Sequence, residues 1–222
     1  MSHSQAEILI IQNIQLLEQS RELLENTVEK KFFDTIDQII KNHTQSSDED
    51  FIGVYDFYED ETWFLPNVWS LESFDIENSK THKNVYAYYE LIHEGNNDTN
   101  YWRLSNYFSN EYDKAVFNFT FWKNSFSNYS KAAFKLFCSE QNNKFIELKK
   151  LGFQFNLDGQ NWYLPIPFLN QEDVIQNYQN DTLEDALAPI KSTLDILIQA
   201  HPIFNEIVQS AKIQFSQHTE IL

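Results

Sequence analysis

Apolar side chains recur at helical spacing through the first forty residues, where neither Gly nor Pro occurs between Ser4 and Asn42. One stripe of these residues continues, after a shift, into a second apolar run. The stripe consists of Ile10, Ile14, Leu17, Leu24 and Val28, followed by Phe32 or Phe33, Ile36 and Ile40. Arg21 interrupts it, so the repeat does not last the roughly three to four heptads of a coiled coil. We predict a long helix, broken near residues 26–31, that packs on the rest of the chain; pairing with a second copy is the alternative.

Beyond a polar linker at residues 42–50, the pattern changes to an alternation of apolar and polar residues, which is typical of strands. The clearest segment is "AVFNFTFW" (115–122), in which Phe117, Phe119 and Phe121 alternate with polar residues. The other strand candidates are "FIGVYDFY" (51–58), "ETWFLPNVW" (61–69), "NVYAYYELIH" (84–93) and, as a weaker candidate, "YWRLSNYF" (101–108). Residues 51–122 are therefore predicted to form an antiparallel meander of four to five strands.

Residues 123–169 are predicted to contain a helix followed by a β-hairpin. Helical spacing covers residues 125–151, and Gly152 stands where a helix C-terminus is expected. The dipeptide at residues 158–159, Asp-Gly, is the preferred sequence of a two-residue type I′ turn. Such a turn places Phe155 opposite Trp162, so the hairpin carries an apolar face.

Residues 170–222 are predicted to be helical, with one helix to about Ala200 that accommodates Pro189 and a last helix that begins at Pro202. The pattern as a whole predicts an α+β fold in a single domain, residues 1–222. Its parts are a helical N-terminal segment (1–45), a β-meander (51–122), a helix plus hairpin (123–169) and C-terminal helices that cover one sheet face (170–222).

The tetrapeptide Trp-aromatic-Leu-Pro occurs twice, at residues 63–66 and 162–165. Alternation places each Trp and Leu on the apolar face of a strand, and each Pro closes the strand, because Pro cannot donate to a sheet ladder. We interpret the repeat as two strands that end in the same way. The alternative is an aromatic patch that binds a peptide or a flat ligand, and it would be lined by Trp63, Trp69, Trp162 and Tyr163.

The chain is strongly acidic, with a formal net charge of −17. This charge repels nucleic-acid phosphates and cytoplasmic membrane surfaces, so we expect no direct contact with nucleic acid or membrane. Solubility is the simplest role of the charge, and attraction of a basic protein is the alternative. The single cysteine, Cys138, excludes an internal disulfide, and no targeting segment is apparent, so we expect a cytoplasmic protein. The abundance of Asn, Gln and Lys, with only two Arg residues, would fit an AT-rich bacterial or phage genome.

The sequence contains no recognisable catalytic motif. The six histidines lack metal-ligand spacing, and the acids of residues 48–61 lack the pattern of a calcium loop. Glu147 and Lys149 match half of a nuclease-type E-x-K centre, but they lie in a predicted helix where a strand is needed. Cys138 follows Phe137 in the same predicted helix, and this position is typical of a buried, unreactive thiol. We therefore predict no catalytic, metal or cofactor site.

The leading functional prediction is a non-enzymatic interaction protein that binds or neutralises a basic partner, as an inhibitor, an immunity protein or a nucleic-acid mimic does. The predicted partner-binding residues are Asp48, Glu49, Asp50, Asp56, Tyr58, Glu59, Asp60, Glu61 and Trp63. One alternative is a ligand-binding or enzymatic domain with a pocket between the sheet and the C-terminal helices. The other is a structural subunit, a homodimer that associates through the N-terminal helix.

Overall fold

The computed structural model describes residues 3–72, 74–76, 83–94, 102–109 and 113–216. The fold is α+β, as the pattern predicts. The helices are α1 (His3–Gln12), α2 (Ile14–Leu23), α3 (Glu29–Gln45), α4 (Lys131–Lys144), α5 (Ile146–Lys150), α6 (Gln171–Gln179), α7 (Leu183–Ala186) and α8 (Ala188–Phe215). The strands are β1 (Phe51–Tyr55), β2 (Thr62–Pro66), β3 (Ala87–Glu94), β4 (Lys114–Phe121), β5 (Gln154–Asn156) and β6 (Asn161–Pro165).

The six strands form one antiparallel sheet in the order β1-β2-β3-β4-β6-β5. Four of them come from the predicted meander, and the hairpin extends the same sheet because β6 pairs with β4. The weaker candidate, residues 101–108, is not a strand where the structure describes it. Arg103–Tyr107 is a 3₁₀ turn, and Leu104 and Phe108 line a groove together with Phe32.

One face of the sheet is covered by helices and holds most of the aromatic core. We call it the helix-covered face. Phe64, Tyr89 and Phe119 share it by register, and the ring of Phe204 in α8 stacks on Phe119 at 4.3 Å. The predicted position of the C-terminal helices over one sheet face is therefore confirmed.

Helix α8 is one continuous helix over 28 residues, not the two helices predicted. Pro189 lies in its first turn, and Pro202 lies inside it. An internal Pro removes one backbone hydrogen bond and disfavours the helix. Here His201 and Phe204, which flank Pro202, are buried, so packing on the sheet holds the helix together.

The hairpin has the predicted register but a different turn. Phe155 lies opposite Trp162, with ring centroids 4.8 Å apart. The loop spans residues 157–160, and only Gln160 has a positive φ, +61°, whereas a type I′ turn needs positive φ at both central residues. The side-chain oxygen of Asn156 accepts hydrogen bonds from the Asp158 and Gly159 N–H groups, and this capping replaces the predicted turn.

The N-terminal helical segment packs on the sheet only in its second half. Phe32, Phe33, Ile36 and Ile40 of α3 are buried, whereas no residue of α2 is. The predicted intramolecular packing is therefore wrong for α1 and α2. A π-helical turn at Leu24–Val28 overlaps the predicted break, and a second interruption lies at Asn13.

Candidate functional site

The predicted acidic segment separates into two groups at opposite ends of β1. Residues 48–50 precede the strand, and residues 56–61, which we call the acidic turn, connect it to β2. Five residues of extended chain span about 17 Å. Asp48, Glu49 and Asp50 are exposed, and so are Glu59 and Asp60 in the acidic turn. The chain therefore presents two acidic surfaces, not one continuous patch.

A buried carboxylate in α3 is hydrogen-bonded to both ends of the acidic turn. Asp37 is 6% exposed and accepts hydrogen bonds from the Phe57 N–H, at 2.8 Å, and from the Thr62 hydroxyl. Burial raises the pKa of Asp37 to about 6, while these two hydrogen bonds favour the ionised form and act in the opposite direction. Asp37 thus fixes both ends of the turn to the helix.

A guanidinium group is hydrogen-bonded to the backbone of the same turn. Arg103, in the 3₁₀ turn, donates to the backbone carbonyl oxygens of Phe57 and Tyr58 at 2.6 and 2.7 Å. Its planar head also lies 4.8 Å from the ring centroid of Phe33 and 5.3 Å from that of Phe57. These contacts fix the backbone of the acidic turn, from which the exposed Glu59 and Asp60 project.

Tyr58 is half-buried, and its side chain connects the acidic turn to the N-terminal helical segment. Its hydroxyl donates to the Glu25 carbonyl oxygen at 2.8 Å, and Lys30 Nζ lies 5.1 Å from its ring centroid. Trp102 lies beside the same helical turn and donates through Nε1 to a carboxylate oxygen of Glu25 at 3.5 Å. Trp102 is 47% exposed. It is therefore an exposed aromatic residue near the acidic turn, and the sequence pattern does not identify it, because residues 101–108 read as a strand candidate.

Trp63 has no exposed surface and is removed from the predicted partner-binding set. It points to the sheet face opposite the helices, where Phe74 and Tyr88 contact it at 6.3 and 6.2 Å between ring centroids. Trp69 and Trp162 are also fully buried. The structural interpretation of the repeated tetrapeptide is therefore confirmed, since β2 and β6 end at Pro66 and Pro165. Burial of three of the four residues contradicts the alternative, an aromatic patch.

A row of polar side chains crosses the same sheet face as Trp63. Asn118 donates to Glu90 at 2.7 Å, and Asn161 donates to the side-chain oxygen of Asn118 at 2.5 Å. Burial raises the pKa of Glu90, and the charge of Glu61 raises it further. Burial also raises the pKa of Glu61, as does the adjacent charge of Asp60. Because these groups satisfy one another, we assign the row to the support of the sheet.

The space between the sheet and α8 is filled with side chains. Tyr89, Phe119 and Phe204 are fully buried there, and the Tyr89 hydroxyl lies 3.0 Å from Nδ1 of His201. Burial lowers the pKa of His201 to about 4, so the imidazole is neutral near pH 7. These side chains occupy the interface between the sheet and α8 where the enzymatic alternative places its pocket.

The described residues contain no group of three or more His, Cys, Asp or Glu side chains that is placed to hold a metal ion. Cys138 is fully buried, and burial raises the pKa of its thiol to about 12, which makes it a poor nucleophile. Glu147 and Lys149 lie in α5, so the E-x-K match has the helical setting that the sequence predicts.

Comparison of the chain with protein families, with curated proteins and with solved structures found no match. In the part of the chain that the structure describes, every helix is too short or too polar to cross a membrane.

Proposed function

We propose that this chain is a non-enzymatic interaction protein that binds a basic protein through the acidic turn, in the manner of an inhibitor, an immunity protein or a nucleic-acid mimic. The observation that carries the proposal is the support of the turn. Asp37 and Arg103 fix its backbone, while Glu59 and Asp60 project into solvent. A surface that is ordered before binding loses less conformational entropy when it binds.

Charge and an aromatic side chain have separate roles in this proposal. The net charge of −17 accelerates the encounter with a basic protein and repels nucleic acid, so nucleic acid is not the partner. Trp102 supplies the apolar contact beside the turn, as exposed Trp residues commonly do at the centre of an interface. We place the interaction in the cytoplasm, where a reducing environment suits a chain with one buried thiol.

The test is affinity capture of partners from lysate of the host at low and at high salt, with two matched variants. Glu59→Gln with Asp60→Asn changes the acidic turn, and Asp48→Asn with Glu49→Gln changes the other acidic group by the same two charges. We expect one stoichiometric basic protein that is released by salt. The first variant should lose it, and the second should retain most of the binding.

Trp102→Ala provides an independent measure because it leaves the charge unchanged. We expect it to weaken the captured complex by roughly tenfold or more, the usual effect of truncating a central aromatic residue. Equal losses for the two charge variants would show that only net charge matters. Binding that is insensitive to salt, or an absence of any basic partner, would contradict the proposal.

A further inference from the structure

The N-terminal helices expose more apolar surface than any other segment that the structure describes. Eight aliphatic side chains in α1 and α2 are between 45% and 73% exposed. They are Ile8, Leu9, Ile10, Ile11, Ile14, Leu16, Leu17 and Leu23. With about half of each side chain in contact with water, the segment presents on the order of 700 Å² of apolar surface, close to the roughly 800 Å² that each partner buries in a standard interface. Monomeric proteins rarely expose a patch of this size.

The charge distribution favours a second copy of the chain as the occupant of this surface. Residues 1–17 contain a single acid, Glu7, and no Lys or Arg, although the whole chain carries −17. Two copies repel each other over most of their surfaces, and they repel least where these nearly uncharged helices meet. A basic partner, in contrast, finds almost no charge to bind there.

An apolar groove lies at the base of the same helical segment. It has a volume of about 330 Å³ and is lined mainly by Val28, Phe32, Leu104, Phe108, Val174 and Ile175. Grooves of this kind receive an amphipathic helix through side chains spaced i, i+4 and i+7. Ile10, Ile14 and Leu17 have this spacing in the exposed segment.

We propose that two copies of this chain form a dimer in which the α1–α2 segments pack antiparallel and α1 of each copy lies in the groove of the other. Ile10 and Val28 are eighteen residues apart, which is about 27 Å along a helix. The helix therefore reaches from one groove to the other when the two-fold axis passes between the helices at the level of Gln19, whose side chain points away from the partner.

The antiparallel direction accounts for two features of the sequence. In the antiparallel pair Arg21 lies opposite the partner's Leu17. In a parallel pair the two Arg21 side chains would face each other, and their like charges would repel. Ile8 and Ile11, which are 52% and 73% exposed, extend the apolar surface around α1. A helix whose exposed apolar residues extend beyond one face needs more than one neighbour, and the partner provides both α2 and the groove.

The molar mass of the full-length protein, measured by sedimentation equilibrium over a concentration series, tests the dimer. Leu16→Gln with Leu17→Gln should give a monomer. The fold should survive because these side chains are 61% and 45% exposed, and circular dichroism and the unfolding midpoint check this. Gln15→Ala with Gln19→Ala, on the opposite face of α2, should remain dimeric. A single-chain mass for the wild-type protein at every concentration would overturn the proposal.

Two further variants test the groove and the direction. Ile175→Glu changes a groove residue that is 51% exposed, and we expect it to weaken the dimer by about tenfold or more. Under mild oxidation, Ser20→Cys near the axis should give a disulfide-linked dimer, and Asn13→Cys should not; Cys138 is buried and does not compete. Linkage through Asn13→Cys, or an unchanged dissociation constant for Ile175→Glu, would overturn the antiparallel, groove-bound arrangement. The acidic turn takes no part, so Glu59→Gln with Asp60→Asn should keep the dimer intact.

Discussion

Two charged residues, the buried Asp37 and the half-buried Arg103, determine the shape of the acidic turn. Asp37 accepts hydrogen bonds from the Phe57 N–H and the Thr62 hydroxyl, and Arg103 donates to two carbonyl oxygens of the turn. A buried donor or acceptor that loses its partner costs about 1–3 kcal/mol. The exposed acids are thus positioned by residues that a partner need not touch.

Replacement of Asp37 by Ala should lower the free energy of unfolding by about 2–4 kcal/mol at pH 7, because it leaves the Phe57 N–H and the Thr62 hydroxyl without their acceptor. Urea denaturation measures this loss. Asp34→Ala, which removes an exposed carboxylate from the same helix, should change stability by less than about 0.5 kcal/mol. Equal effects of the two substitutions would show that Asp37 does not support the turn.

At the scale of elements, the hairpin shows that register and turn type are separate properties. The apolar face aligns Phe155 with Trp162 whatever the turn, because a slip by one residue would move the whole apolar set to the other face. The turn itself depends on local hydrogen bonds, and here the Asn156 side chain supplies them. Sequence preference identified the position of the turn but not its geometry.

Asn156→Ala should reduce the free energy of unfolding by about 1–2 kcal/mol, because the Asp158 and Gly159 N–H groups lose their shared acceptor. Thermal unfolding provides the measurement. Leu157→Ala in the same loop, at a side chain that is 42% exposed, should have a smaller effect. In a two-residue type I′ turn the Asn156 side chain would have no such role. An unchanged free energy of unfolding for Asn156→Ala would therefore contradict the observed loop.

At the scale of the whole molecule, buried titratable groups give the fold opposing responses to pH. Burial lowers the pKa values of His93 and His201 from the ordinary 6.5 to about 4. Their contribution to stability is present above pH 6.5 and is lost as the pH falls towards 4. Burial raises the pKa of Asp37 from 3.8 to about 6, so its contribution is full below pH 3.8 and is lost as the pH rises through 6. Burial also raises the pKa values of Glu61 and Glu90, so these two carboxyl groups act in the same direction as Asp37.

The two histidines should therefore lower the free energy of unfolding between pH 6.5 and pH 4.5, by at most about 1.4 kcal/mol per pH unit each, and Asp37, Glu61 and Glu90 oppose this fall. Urea denaturation across this range measures the slope. His201→Gln should make the slope shallower, because one neutral buried imidazole is removed. Asp37→Asn should make it steeper. If both variants keep the wild-type slope, these groups do not control the acid sensitivity.

The sequence by itself determined the α+β class, four strands of the meander, the hairpin register and the burial of both repeated Trp residues. Periodicity and alternation are local properties of the chain, and they specify which side of an element is apolar. The same pattern located the acids of residues 48–61 and the apolar stripe of the N-terminal helices. These predictions needed no knowledge of what lies beside each element.

Only the tertiary structure decided what covers each of these faces. The stripe is continuous in sequence, yet Phe33 is buried against the sheet while Leu16 is exposed. β1 divides the acids into two groups, and Arg103 reaches the acidic turn from a segment 45 residues away. Packing also carries α8 through Pro202 against its local preference. The physical reason is that burial and hydrogen bonding between distant segments are properties of pairs of elements, and a single element's pattern does not identify its partner.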